Sequence, residues 1–301
     1  MKNLDLSVVI VAYNSENTIV ECVRSVISTI KKNTFEILLS DNSENDLTGD
    51  IVRDEFVHDI KVKYFHNKIN LGFSKGNNAV VKSAHGEYIL FLNPDTKIYE
   101  NTIDGILDFM RKTLDCGAVT CFMELPDGTL DDSSHRGFPT PWRAFSHFSG
   151  LSKIYPKSKL FGGYNLTYFD ITKTHEIESL AGSFMMVPFR IGEKLGWWDE
   201  DYFFYGEDID FCYRIKKEGH KIYFVPEFRA LHMKGISSGI KKVSKDVTRA
   251  SIETRKFATN HRFKAMEIFY NKHYKNKYPR FLTAMVFFGI SLKKKITEAT
   301  L

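Results

Sequence analysis

The chain of 301 residues has only four cysteines, Cys22, Cys116, Cys121 and Cys212, and no CxxC pair among them. That spacing excludes a disulfide framework or a zinc knuckle, and the apolar neighbours of these cysteines suggest buried thiols in a reducing compartment. No apolar run reaches the roughly 20 residues that a membrane-spanning helix needs. The opening MKNLDLSVVIVAYN has one lysine and a short apolar run broken by Tyr13 and Asn14, the pattern of a first core strand and not of a signal peptide. A cytoplasmic protein is therefore expected. GxGxxG, GKS and GKT are missing as well, so there is neither a dinucleotide fingerprint nor a P-loop. Internal repeats and low-complexity segments are absent.

What remains has the composition of a globular enzyme-sized chain, 43% hydrophobic and 26% charged. The charge is unevenly placed. Residues 241–301 hold 15 Lys+Arg against 4 Asp+Glu, a net +11 within the overall +5, which leaves −6 for residues 1–240. An acidic body with a basic tail predicts that the tail meets an anionic surface, lipid or nucleic acid.

Taken in order, the first third alternates strands and helices. Leu6 to Ala12, Phe35 to Leu39, Ile60 to Phe65, Tyr88 to Leu92 and Ala118 to Phe122 read as strands. Ile19 to Ile30 and Ile103 to Met110 carry apolar residues at helical spacing. This rhythm predicts an α/β fold with an open, mostly parallel sheet, in which ligands bind beyond the carboxyl ends of the strands. The polar groups Asn14, Asp41 and Asp95 fall at those ends. Asn70 to Asn78 supplies glycines and asparagines before a helix, either an ordinary turn or a cradle for phosphate or ribose. Asp127 to about Thr174 reads as a long irregular excursion, whose Arg136, Trp142, Arg143 and Tyr155 suit a bulky polar substrate or a solvated loop. Glu178 to Val187, Lys221 to Val225 and Phe228 to Leu231 read as further strands. The tail predicts a basic helix or helix pair over 244–278. A dozen apolar residues follow from Phe281, then three lysines, and they suit either an interfacial helix on anionic lipid or docking on the protein's own core.

Trp197 to Gly235 is the densest stretch. Between Asp199 and Asp210 lie six carboxylates among tryptophan, tyrosine and phenylalanine. Apolar neighbours and like charges both raise a carboxyl pKa, so this is a place for a base, or else an acidic loop capping a helix.

With the motifs assembled in order (VVIVAYN, SDNSENDLT, NLGFSKGNN, YILFLNPDT, LAGSFMMV, GWWDEDYFFYGEDIDFCYRI and VPEFRALHMKG), the chain from Val8 to His232 resembles the family-2 glycosyltransferases of GT-A fold. It is most similar to their bacterial rhamnosyltransferase-type branch. The resemblance implies a Rossmann-like sheet flanked by helices, with a transferase domain over residues 1–240. The nucleotide half would end near 125 and the acceptor half would follow. A basic, membrane-associating helical extension would occupy 241–301.

It further implies transfer of a sugar from a nucleoside diphosphate to an acceptor hydroxyl, with inversion. Asp41 would contact the pyrimidine beside Ala12, Tyr13 and Asn14. Asn70, Gly72, Phe73, Gly76, Asn77 and Asn93 would line the donor. Asn93-Pro94-Asp95 stands where the family commonly has Asp-x-Asp, so Asp95, with His232, would hold Mg2+ or Mn2+. Asp208 would be the general base, assisted by Glu207 and Asp210. Trp197, Trp198, Glu207 and Arg136 would face the acceptor. The donor implied is dTDP-L-rhamnose, with UDP-hexose or UDP-N-acetylhexosamine as the alternative. The acceptor implied is a saccharide, lipid-linked at the inner face of the cell membrane, in the synthesis of O-antigen or another surface polysaccharide. A non-catalytic nucleotide-sugar binder is the remote reading. Nucleic acid is disfavoured by the acidic body.

Overall fold

An unbroken apolar run can form a strand only where both faces of the sheet are covered, and Leu4–Ala12 (β1) lies at such a place. Its Leu6, Val8 and Ile10 point into one buried cluster and Val9 into another. The computed structural model describes residues 3–233 and 252–300. The expected boundary at 240/241, the end of the acidic stretch and the start of the 244–278 helix lie outside them.

Phe35–Asp41 (β2), Val62–His66 (β3) and Gly86–Leu92 (β4) join β1 in parallel, in the order β3-β2-β1-β4. Beyond β4 the sheet becomes mixed. Phe184–Pro188 (β8) runs antiparallel between β4 and Cys116–Glu124 (β6), and β6 pairs in parallel with Lys221–His232 (β9). Two three-residue strands, Thr96–Ile98 (β5) and His175–Ile177 (β7), lie antiparallel on β9. The α/β fold with an open sheet is as expected, with the sheet parallel from β3 to β4 and mixed beyond.

The helices follow the pattern of a covered sheet. Ile19–Thr29 (α1), Leu47–Phe56 (α2) and Thr102–Lys112 (α4) bury apolar residues against one face. Gly72–Val81 (α3), Phe189–Leu195 (α7) and Glu207–Lys217 (α8) cover the other. All four cysteines are buried free thiols, as expected.

Three expectations are corrected. Glu178 to Ser183 is not strand, because Arg136 pairs with Ser179 there as an isolated bridge. The two strands expected over 221–231 are one, with three extra residues around Pro226 opposite the Cys121–Phe122 step, where proline cannot donate to a ladder. The excursion also contains short helices, Pro141–Phe148 (α5), capped by Thr140, and Leu151–Ile154 (α6).

In the tail, Ile252–His273 (α9) docks on the body through Phe269, whose ring meets Tyr213, and through His273 and Lys272, and Arg280–Glu298 (α10) packs on α9. No described helix is long and apolar enough to cross a membrane.

Candidate functional site

Because β1, β2 and β4 are parallel, their carboxyl ends open on the same edge, and β8, running the other way, brings Ser183 beside the end of β4. The Asn93 amide donates to the Ser183 carbonyl at 3.2 Å. Four elements therefore converge here by topology alone.

On the nucleotide side, the Asn14 backbone adopts the left-handed region (φ 49°), and its N–H donates to Ser43 Oγ at 2.8 Å. Asp41 is fully buried, and its oxygens accept from the Ser43 hydroxyl at 2.6 Å and the Tyr64 hydroxyl at 2.7 Å. In this arrangement Asp41 is held by Ser43 and Tyr64 and presents no exposed oxygen of its own. Tyr13, by contrast, is exposed at the rim.

The Asn70–Asn78 segment, expected to precede a helix, is itself the start of α3 from Gly72 on, and it is pinned from both sides. Asn70 Oδ1 accepts from Gly72 N, and Asn42 Nδ2 donates to Gly72 O, each at 2.9 Å. Gly72 has φ +77°, and a Cβ there would run into the Phe203 carbonyl, so only glycine fits. Gly76 lies against Asn42 and Val11, and Asn77 Nδ2 donates to the Phe73 carbonyl. Asn78 joins the loop to the acidic stretch, donating to Trp198 O and accepting from Trp198 N.

The β5–β9 ladder places Thr96 opposite His232, which brings His232 Nε2 to 3.4 Å from Asp95 Oδ1. Asn93 Nδ2 lies 3.5 Å from the same nitrogen. The other ring nitrogen, Nδ1, lies 2.9 Å from Asp131 Oδ2, and Asp131 is fully buried. Burial opposes charge on this ring, but Asp95 and Asp131 outweigh it and push the His232 pKa up to about 9. A pocket that draws positive charge this strongly suits a cation. An imidazole oriented by a carboxylate on its far nitrogen, beside a hard oxygen donor, is a fitting ligand pair for Mn2+ or Mg2+. The hydroxyls of Thr96 and Ser183 are buried nearby without hydrogen-bond partners. Among the described residues no three His, Cys, Asp or Glu side chains are arranged to hold a metal by themselves.

The acidic stretch is framed by two left-handed pairs, Gly196-Trp197 and Tyr205-Gly206. A non-glycine residue costs about 1–2 kcal/mol in that region, and Tyr205 bears this cost where the turn delivers Glu207 and Asp208 to the start of α8. Asp208 Oδ1 accepts from Ile209 N at 2.8 Å, and its Oδ2 is ion-paired with Arg136 at 2.7 Å. Burial works against the Arg136 charge, and the Asp208 carboxylate outweighs it. Burial first, and the neighbouring Asp208 charge second, raise the Glu207 pKa to about 8, and Glu207 Oε2 is buried without a partner. Arg136 also reaches the Leu180 carbonyl, at 3.4 Å. Arg136 thus touches one end of the Leu180–Ser183 segment and Asn93 the other, and an extended chain of that length spans at most about 11 Å.

Several expected site residues have other places. Trp197 packs on Phe91 and Phe189, and Trp198 on Phe73, Phe91 and Phe211; both are buried in the core and do not face an acceptor. Asp210 is likewise structural. Burial would raise its pKa, but His273 at 2.7 Å and Arg214 at 2.6 Å outweigh that and lower it. Asp131, Ser43 and Tyr64 join the site without having been singled out in the sequence. Asp131 sits in the excursion with no motif around it, and only the fold brings it to His232.

The sequence profile of glycosyl transferase family 2 matches residues 7–173. Rhamnosyltransferase WbbL of Escherichia coli K12 is 28% identical over 207 residues, 66% of this chain and 72% of that protein. The N-acetylglucosaminyl-diphospho-decaprenol L-rhamnosyltransferase of Mycobacterium tuberculosis is 25% identical over 224 residues, 71% of each chain. The solved structure of GalNAc-T7 with UDP, GalNAc and Mn2+ has a TM-score of 0.58 at 20% identity, over 91% of this chain and 59% of that one. That likeness is one of fold.

Proposed function

The chain belongs to glycosyl transferase family 2, and on that premise we propose that it transfers L-rhamnose, with inversion, from dTDP-L-rhamnose to a lipid-linked saccharide acceptor in cell-surface polysaccharide synthesis. The observation that carries the chemistry is that the Leu180–Ser183 segment links two polar groups, Asp208 held by Arg136 at one end and Asn93, next to Asp95 and His232, at the other. The rhamnose donor is supported by the two rhamnosyltransferases among the relatives.

Inversion takes a single displacement, so one base on the side opposite the leaving group is enough. Asp208 accepts the proton of the attacking acceptor hydroxyl, and Arg136 fixes the orientation of its carboxylate. Glu207, kept neutral by burial, has a hydroxyl to donate to the acceptor. Ala12, Tyr13, Asn14 and the groups that Asp41 anchors would hold the nucleoside. Asn70, Gly72, Phe73, Gly76, Asn77 and Asn93 would frame the donor sugar and diphosphate. Asp95 and His232 would hold a divalent cation, Mg2+ or Mn2+, whose chemistry is to neutralise charge on the departing diphosphate. Asp131 orients His232 for that task. The transferase domain would span residues 1–240, and the basic extension would seat it on the inner face of the membrane.

A donor panel tests this reading: dTDP-rhamnose, UDP-glucose, UDP-galactose and UDP-N-acetylglucosamine, with released nucleotide as the readout. Turnover confined to dTDP-rhamnose is expected, and it should fall a hundredfold or more in Asp208→Asn while donor binding persists. Turnover with a UDP sugar instead would establish the alternative donor. Near-normal turnover in Asp208→Asn would remove the base.

A further inference from the structure

The tail is not the chain's only exposed apolar surface. Along α10, Phe281, Met285, Phe288, Leu292 and Ile296 are all exposed. At about 100° per residue they fall within about 80° of the helix circumference. Val286, Phe287 and Thr283, on the opposite side, face α9: Phe287 meets Tyr270 with 5.5 Å between ring centroids, and Thr283 Oγ1 lies 3.1 Å from the Tyr270 hydroxyl.

The second surface belongs to the excursion. On α5 the exposed residues are Trp142, Phe145 and Phe148, and beyond it come Ile154, Tyr155 and Leu160. Trp142 is braced for this position, its indole N–H donating to the Leu160 carbonyl at 3.0 Å. The two surfaces adjoin, because Lys293 of α10 lies over the Phe148 ring, 5.8 Å from its centroid. Burial, with the charges of Arg262, Lys153 and Lys293 among its neighbours, lowers the pKa of His147 between them.

Charge identifies the occupant. Residues 141–161 contain Arg143, Lys153, Lys157 and Lys159 and no Asp or Glu. Residues 280–298 contain Arg280, Lys293, Lys294 and Lys295 against the single Glu298. Arg143 is paired with Glu178 and Lys294 with Glu298, but Lys153, Lys157 and Lys159 stand beside the exposed groups of the excursion, and Lys293 and Lys295 fall on the two edges of the α10 stripe. Apolar side chains bordered by lysines, with tryptophan and tyrosine at the margin, match the boundary between headgroups and acyl chains.

We propose that α10 and the α5–α6 segment form one composite face that docks on an anionic phospholipid bilayer. The inference rests on the reading that the basic tail meets anionic lipid, and it adds the excursion as the second half of the contact. The excursion also carries Arg136 and Asp131, so docking would put the acceptor side of the site next to the lipid.

Vesicles of phosphatidylglycerol and phosphatidylcholine provide the test, with pure phosphatidylcholine as the comparison. Of the three tryptophans, Trp197 and Trp198 are buried, so a blue shift and quenching by brominated acyl chains report on Trp142. The full chain should bind the anionic vesicles with both signals. Phe145→Ser/Phe148→Ser, with α10 intact and circular dichroism unchanged, should bind about tenfold or more weakly. The α10 variant Phe288→Ser/Leu292→Ser should behave alike. If the α5 variant binds as the parent does while removal of residues 279–301 abolishes binding, the composite face is overturned and the tail reading stands. If the parent binds neither vesicle, both fail. Concentration-dependent dimers in sedimentation, lost in both variants and without vesicle binding, would assign the face to self-association and overturn the proposal. None of these outcomes bears on the donor assignment.

Discussion

Glu207 and Asp208 are adjacent in sequence but sit in different surroundings, one buried without a partner for Oε2, the other ion-paired with Arg136. The raised Glu207 pKa carries a stability cost whose sign follows from linkage. Below the ordinary carboxylate range both folded and unfolded states hold the proton, and there is no cost. As pH climbs to about 8 the unfolded chain has lost the proton while the folded one keeps it, so stability declines across that interval. Glu207→Gln cannot ionise. Its melting temperature should coincide with the parent's near pH 5 and exceed it by about 5 °C at pH 9, and parallel curves would contradict a neutral Glu207. Asp131→Asn removes the carboxylate behind His232, and Mn2+ affinity, read by calorimetry, should fall about 10–100-fold. An unchanged affinity would mean that Asp131 plays no part in a metal site. At this scale the sequence was half legible: Asp95, His232 and Asp208 stand in recognisable motifs, whereas Asp131 has only its position in space. The tryptophans misled because aromatic residues beside carboxylates look alike whether they line a site or fill the core behind it.

The element most consequential for the site is α9, which lies against the acidic stretch. His273 reaches the buried Asp210 of α8, and Lys272 pairs with Asp199 and with Asp201. His273→Ala would leave one oxygen of Asp210 without its partner, a loss of about 2 kcal/mol for a buried, charge-assisted bond. The expected result is a lower melting temperature and faster proteolysis at α9; if neither changes, aromatic packing alone holds the helix. The parallel strands were legible because burial on both faces demands unbroken apolar runs. α2 was not, since Leu47 and Ile51 are exposed and leave it a weak apolar face. The three-residue β5 and β7 are too short to show a period at all, yet β5 is what sets Asp95 beside His232.

Over the described residues, the charge division seen in the sequence has a structural counterpart: residues 252–300, which hold 11 Lys+Arg against 3 Asp+Glu, form a basic, apolar helix pair set against the body. The fold class was legible from the alternation of elements, and the mixed half was not, because whether β8 runs parallel or antiparallel depends on the path of a long excursion. That excursion leaves the sheet at β6 and re-enters at β7. Both are neighbours of β9, but its two ends are offset along that strand, Glu124 opposite Leu231 and His175 opposite Phe224. Such a segment can be exchanged as a cassette to test whether it sets acceptor choice. Its own residues limit the exchange: Asp131 backs His232 and Arg136 holds the Asp208 carboxylate. A chimera that replaces residues 125–174 wholesale would lose both supports at once, whereas one that keeps Asp131 and Arg136 in register and grafts only 138–172 retains them.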